Sequence, residues 1–115
     1  MGITVKTIQH GQIIEVCVAG RAFTDKEYDP IIEAVTDQLA LDRTKFIINL
    51  EDVDTLNSSG LNALIKVFTQ IRNIGGELYI VNISSKINQV LLLTKLNTVL
   101  NIATSFKHAL EQLNK

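Results

Sequence analysis

Hydrophobic positions change period along this chain, and each change marks an element. Val5 to His10 and Ile13 to Ala19 are short β-rich runs around Gly11-Gln12, which predicts a β-hairpin. In the second run Ile14, Val16 and Val18 share one face, and Ile13, Glu15 and Cys17 share the other, less apolar one. Gly20 to Tyr28 reads as a loop. Thr24-Asp25-Lys26-Glu27 fits a capping box, but Pro30 follows too closely for one unbroken helix. Asp29 as N-cap and Pro30 at the first helical position predict a helix that turns Ile31, Ala34, Val35 and Leu39 inward and ends near Leu41. Phe46 to Leu50 is a short apolar run, predicted to be a central strand.

The clearest helix covers residues 58–74, where Leu61, Leu64, Ile65, Phe68 and Ile71 follow the helical period and Asn62, Lys66, Thr69 and Asn73 lie off the stripe. Gly75-Gly76 ends it, because glycine takes the left-handed conformation after a helix without steric cost. Leu78 to Val81 is the next strand. Ser84 or Ser85 caps a third helix carrying Ile87, Val90, Leu91 and Thr94. Leu96 to Ala103 fits a turn followed by a short strand near Ile102. Ser105 caps a last helix with Phe106, Ala109, Leu110 and Leu113 on one face. A hairpin followed by alternating helix and strand implies an α/β domain. Its mixed sheet is parallel in the later strands and packed with about four helices.

Composition narrows the function. The 115 residues suit one domain, spanning 1–115, with 46% hydrophobic and 20% charged residues, an ordinary globular balance. A net charge of −1 gives no electrostatic footprint for direct nucleic-acid binding, and 5% aromatics without tryptophan give no stacking platform. No apolar run approaches a membrane span, and the first residues lack the apolar core of a signal peptide. The cytoplasm is therefore the expected compartment, which suits the single cysteine, Cys17.

The most informative segment runs from Asn49 to Leu61: strand, turn, then small polar residues opening a helix. Asn57-Ser58-Ser59-Gly60 sits where a helix leaves its N–H groups unpaired and favours negative charge. Two readings stand side by side. Asn57 is a plain N-cap, with Ser58 and Ser59 as first-turn residues and Gly60 allowing close packing. Alternatively, Ser58 points outward and accepts a phosphate that the helix N-terminus tolerates. Ser58 has no neighbouring base and no nucleophile elbow, so nucleophilic catalysis is not expected. Glu51, Asp52 and Asp54 cluster before the corner but match no calcium loop and read as a solvated acidic turn. His10, at the hairpin turn, and His108, off the last helix's apolar stripe, lack the company of a zinc site. Gly75-Gly76 is a helix stop rather than a phosphate cradle. No metal and no cofactor are expected.

Several features occur in an order that resembles the STAS domain of bacterial anti-sigma factor antagonists. They are Gly20, the strand Phe46 to Leu50, Glu51-Asp52-Val53, Asn57-Ser58-Ser59-Gly60-Leu61, Gly75-Gly76-Glu77, Asn82-Ile83-Ser84, Ile87 to Leu93 and Ala109-Leu110. The resemblance covers nearly the whole chain. It implies a partner-switching protein without catalysis of its own. In that family the serine matching Ser58 is phosphorylated by an anti-sigma factor that is also a serine kinase. The unmodified form binds that kinase and frees the sigma factor, and a PP2C-type phosphatase resets the cycle. The resemblance also places Asn57, Ser58, Ser59, Gly60 and Asn62 on the docking surface. One position departs from the family pattern: Asn57 stands where aspartate is usual, keeping the capping oxygen and removing a charge. Two other classes stand beside this one. A STAS interaction subunit of a transport or signalling complex would carry no phosphate; the chain's length and intact serine favour the switch, and Asn57 favours the subunit. A small nucleotide-binding or catalytic α/β protein would need a Gly-rich strand-to-helix turn or a convergent acid–base pair, which the sequence does not display.

Overall fold

The structure, a computed structural model, describes residues 2–115. Strands β1 (Ile3–His10) and β2 (Ile13–Gly20) form the antiparallel hairpin. Gly11 turns it with φ +63°, the conformation glycine adopts most freely. Strands β3 (Lys45–Asp52) and β4 (Glu77–Val81) then add in parallel, so the four-stranded mixed sheet has the order β1-β2-β3-β4. Parallel neighbours need crossovers. Helix α1 (Asp29–Leu39) makes the first and helix α2 (Ser58–Asn73) the second. Helices α3 (Ser85–Leu93) and α4 (Phe106–Leu113) follow β4. The mixed α/β architecture is the one the hydrophobic pattern predicts.

The sheet buries both faces of β3. On one face Ile14, Val16, Val18, Phe46, Ile48, Leu50, Leu78 and Ile80 meet Ile31 and Val35 of α1, Leu64, Val67 and Ile71 of α2, and Ile87 and Leu91 of α3. On the other, Ile13, Ile47 and Val81 meet Ala109 and Leu113 of α4. Phe46, Ile47 and Ile48 are fully buried, which explains a continuous apolar run instead of alternation.

Several elements differ from their sequence-based expectation. Asp29 is not the N-cap of α1. A 3₁₀ turn over Lys26–Tyr28 runs straight into the helix, so Asp29 and Pro30 occupy its first turn and no side chain caps it. The Thr24–Glu27 capping box forms on that turn, with Glu27 Oε1 accepting from the Thr24 N–H at 3.1 Å and Thr24 Oγ1 from the Glu27 N–H at 3.3 Å. Helix α1 stops at Leu39, and β3 runs two residues past Leu50. On α2 the inward stripe is rotated: Ala63 and Val67 are buried, whereas Ile65 and Phe68 are only half-buried. Thr94 is exposed and bonds back to the Val90 carbonyl at 2.8 Å. Ile102 bridges β4 at Ile80, with bonds of 2.8 and 3.0 Å on either side, a single bridge rather than a strand.

The α2 terminus follows the glycine logic. Gly76 donates to the Ile71 carbonyl at 2.9 Å and Gly75, at φ +78°, to the Arg72 carbonyl at 3.0 Å.

Beside α4 the sheet carries a chain of polar groups. Glu15 is 7% exposed; its Oε1 meets His10 Nε2 at 2.8 Å and its Oε2 accepts from Asn49 Nδ2 at 2.9 Å. Asn49 Oδ1 accepts from Asn82 Nδ2 at 3.1 Å. Burial pushes the Glu15 carboxyl up, but hydrogen bonds from Asn49, His10 and Cys17 outweigh it, and the carboxyl lies below its ordinary value. A carboxyl depressed in the folded state adds stability that is complete above its unfolded pKa and is lost as pH falls through the folded one. Urea unfolding between pH 7 and pH 3 should therefore show wild-type stability falling more steeply than that of Glu15→Gln. Parallel pH profiles would contradict this.

Candidate functional site

The corner between β3 and α2 is built by apolar anchors that leave polar residues outside. Val53 and Leu56 are buried, and the Val53 N–H turns back to the Leu50 carbonyl at 3.0 Å. Asp54 and Glu51 consequently face solvent, as does Asp52. Asp54 pairs with Lys86 at 3.0 Å, an exposed pair that contributes little to stability. The Asp54 carbonyl accepts from Ser84 Oγ, which itself caps α3 by accepting from the Ile87 N–H at 3.1 Å. The acidic turn is thereby tied to the start of α3.

Asn57 is the N-cap of α2: its backbone is extended, and its Oδ1 accepts from the Gly60 N–H at 3.0 Å. Its Nδ2 donates to the Phe23 carbonyl, also at 3.0 Å, across 34 residues of sequence. Ser58 is the first helical residue and is exposed; Asn62, one turn on, is exposed on the same side. Ser59 is half-buried. Gly60 is buried, and a Cβ there would stand 2.9 Å from both Leu56 Cδ2 and Tyr28 Cζ. Tyr28 lies under the corner, 1% exposed, and its hydroxyl donates to the Ala22 carbonyl at 3.1 Å. Burial pushes its phenol up, against the opposing pull of a hydrogen bond from the Asn57 backbone.

The other candidate groups lie apart. His10 pairs with Ile13, and Ile13 with Lys45, so it sits where β3 begins, whereas Ser58 follows the end of β3. His108 is exposed. Burial and the Glu15 carboxylate push the Cys17 thiol up to about 11, which disfavours the thiolate. Among the described residues no group of three His, Cys, Asp or Glu side chains is placed to hold a metal ion. Among them, too, no helix is long and apolar enough to cross a membrane.

Sequence reasoning missed Tyr28 and Phe23. Both reach the corner through the fold, and no local pattern signals a contact at that separation.

Comparison with known proteins agrees with this fold. The STAS domain family model matches residues 10–109, and the chain belongs to that family. A Thermotoga neapolitana protein, named by homology as an anti-sigma factor antagonist, is 25% identical over 69 residues, 60% of this chain and 61% of that one. The match thus spans less than two thirds of that relative. A Thermotoga maritima crystal structure, described likewise, superposes with TM-score 0.84 at 19% identity, covering 96% of this chain and 95% of the other. The Bacillus cell fate determinant SpoIIAA in its phosphorylated form gives TM-score 0.70 at 15% identity, covering 95% and 98%. At such identities the two structures share a fold with this chain.

Gly60→Ala should destabilise by about 1–3 kcal/mol, the usual cost of overpacking, because the new methyl meets the Tyr28 ring and Leu56. Thermal or urea denaturation measures it, and a neutral result would mean that the ring moves aside freely.

Proposed function

We propose that this chain is an anti-sigma factor antagonist that works by partner switching at Ser58. With Ser58 unmodified, the corner of Asn57, Ser58, Ser59, Gly60 and Asn62 docks an anti-sigma factor that is also a serine kinase. Phosphorylation of Ser58 ends that contact, and a PP2C-type phosphatase restores it. The chain acts in the cytoplasm and performs no catalytic step of its own. The observation that carries this reading is an exposed serine at the first position of a capped helix, in a fold shared with a phosphorylated relative.

The physics of the switch follows from position. A phosphate adds roughly −1.5 to −2 charge at pH 7. At a helix N-terminus it gains typically about 0.3–1 kcal/mol from the dipole. The fold should therefore tolerate it, and the effect falls on the partner. A surface shaped for a hydroxyl would have to bury a hydrated dianion, which unpaired costs several kcal/mol, with each ~1.4 kcal/mol a factor of ten in affinity.

Incubation with the cognate kinase and ATP, followed by phosphosite mapping, should place phosphate on Ser58. Phosphate confined to Ser59 or to another residue would overturn the assignment. Phosphorylated protein should melt within a few degrees of the unmodified form while losing partner affinity at least about tenfold, the effect of ~1.4 kcal/mol. Unfolding on phosphorylation, or unchanged affinity, would rule out exclusion by charge. Pure protein should not hydrolyse ATP or GTP; hydrolysis abolished by a point substitution in this chain would make it an enzyme.

A further inference from the structure

We propose that Asn57 is a positioning residue: its carboxamide pins the loop from Arg21 to Tyr28 against the Ser58 corner, so that a partner meets Phe23 and Ser58 as one rigid surface. This deepens the Ser58 reading and rests on it for the partner.

Both ends of the Asn57 carboxamide are used, Oδ1 by the Gly60 N–H and Nδ2 by the Phe23 carbonyl. Its orientation is determined chemically, since reversing it would set donor against donor and acceptor against acceptor. The loop is held from its other side as well. Glu27 Oε1 accepts from the Phe23 N–H at 3.2 Å and the Thr24 N–H at 3.1 Å, and the Tyr28 hydroxyl donates to the Ala22 carbonyl at 3.1 Å. The backbone of Phe23 is thus bonded at its N–H and its carbonyl, while its ring is 56% exposed. The Arg21 guanidinium stands 5.5 Å from the ring centroid. A fastened backbone under an aromatic ring left in water contributes little to the core. It suits recognition, because an immobilised aromatic anchor loses little entropy on binding. The ring with its guanidinium fits a protein surface that offers an apolar depression rimmed by carboxylate.

The pin is specific to an amide. Aspartate caps a helix as well as asparagine does, but it has no donor and would turn its second oxygen toward the Phe23 carbonyl. Asn57→Asp therefore separates pinning from capping, and Asn57→Ala removes both. Because the chain contains no tryptophan, Phe23→Trp installs a single tryptophan on the loop, which can be excited apart from the two tyrosines.

The test compares amide hydrogen exchange of wild type, Asn57→Asp and Asn57→Ala, with fluorescence anisotropy of Phe23→Trp in each background. In Asn57→Asp the Phe23 and Thr24 amides should exchange roughly fivefold to tenfold faster, as expected for losing about one net hydrogen bond, while Gly60 keeps its protection. Anisotropy should fall. Unchanged exchange at Phe23 and Thr24 overturns the pin, and so does faster exchange throughout α2 including Gly60, which would signify a lost cap. Exchange on the unlabelled proteins decides the matter even where Phe23→Trp fails to fold. With the purified kinase, Asn57→Asp should raise KM for Ser58 phosphorylation at least threefold with kcat retained, and an unchanged KM overturns the recognition half. A loosened loop in a protein whose Ser58 is never phosphorylated leaves the pin standing and removes its partner. A phosphorylated Ser58 beside an unmoved loop leaves the switch and removes the pin.

Discussion

Burial of β3 on both faces is the constraint that organises this protein. A strand with apolar side chains on both sides needs a layer on each side of the sheet. Helices α1, α2 and α3 supply one layer, and α4 the other. Parallel pairing with β2 and β4 then requires the chain to return to the same end of the sheet before each new strand. Helix α2 must begin where β3 ends, so the exposed corner at Ser58 is a consequence of how the buried strand is covered.

That corner is also where two crossovers touch. Gly60 lets α2 close onto the ring of Tyr28, which belongs to the turn leading into α1. A side chain at Gly60 would push the helix away from the ring. Asn57 makes the second connection, from the helix cap to the Phe23 carbonyl. The surface around Ser58 is consequently assembled from the two segments that leave β2 and β3. The buried tyrosine between them gives an exposed serine a firm base.

The opposite face of the sheet is organised by polar groups as well as apolar ones. Glu15 would be costly there as an isolated charge, but its carboxylate is satisfied by His10 and Asn49. Phe106 at the start of α4 packs edge-on to the His10 ring, centroids 5.1 Å apart, so the helix covering this face rests partly on the polar chain. Asn82 ends that chain with a positive φ of 59°, a conformation asparagine tolerates better than most residues.

The sequence by itself determined the hairpin, the apolar strand at Phe46, the helix after Ser58 with its glycine stop, and the Ser105 cap; for the third helix it left Ser84 and Ser85 open, and the structure puts the cap at Ser84. Each rests on interactions between residues a few positions apart, where period and capping chemistry are decisive. It also singled out the Asn57–Gly60 corner, because an N-cap followed by small residues is a local pattern. The start of α1 is not marked by an Asp29 cap, because a 3₁₀ turn and a helix share local signals and the turn, with Tyr28 buried at its end, runs directly into the helix. The α2 stripe is rotated slightly from the one the helical period predicts, because Ala63 and Val67 are buried in the core that the sheet and helices share. Tertiary structure alone decided that Glu15 has partners, that Tyr28 lies beneath Gly60, and that the Asn57 amide reaches Phe23. Those contacts join residues far apart in the chain, and their geometry exists only once the layers have packed.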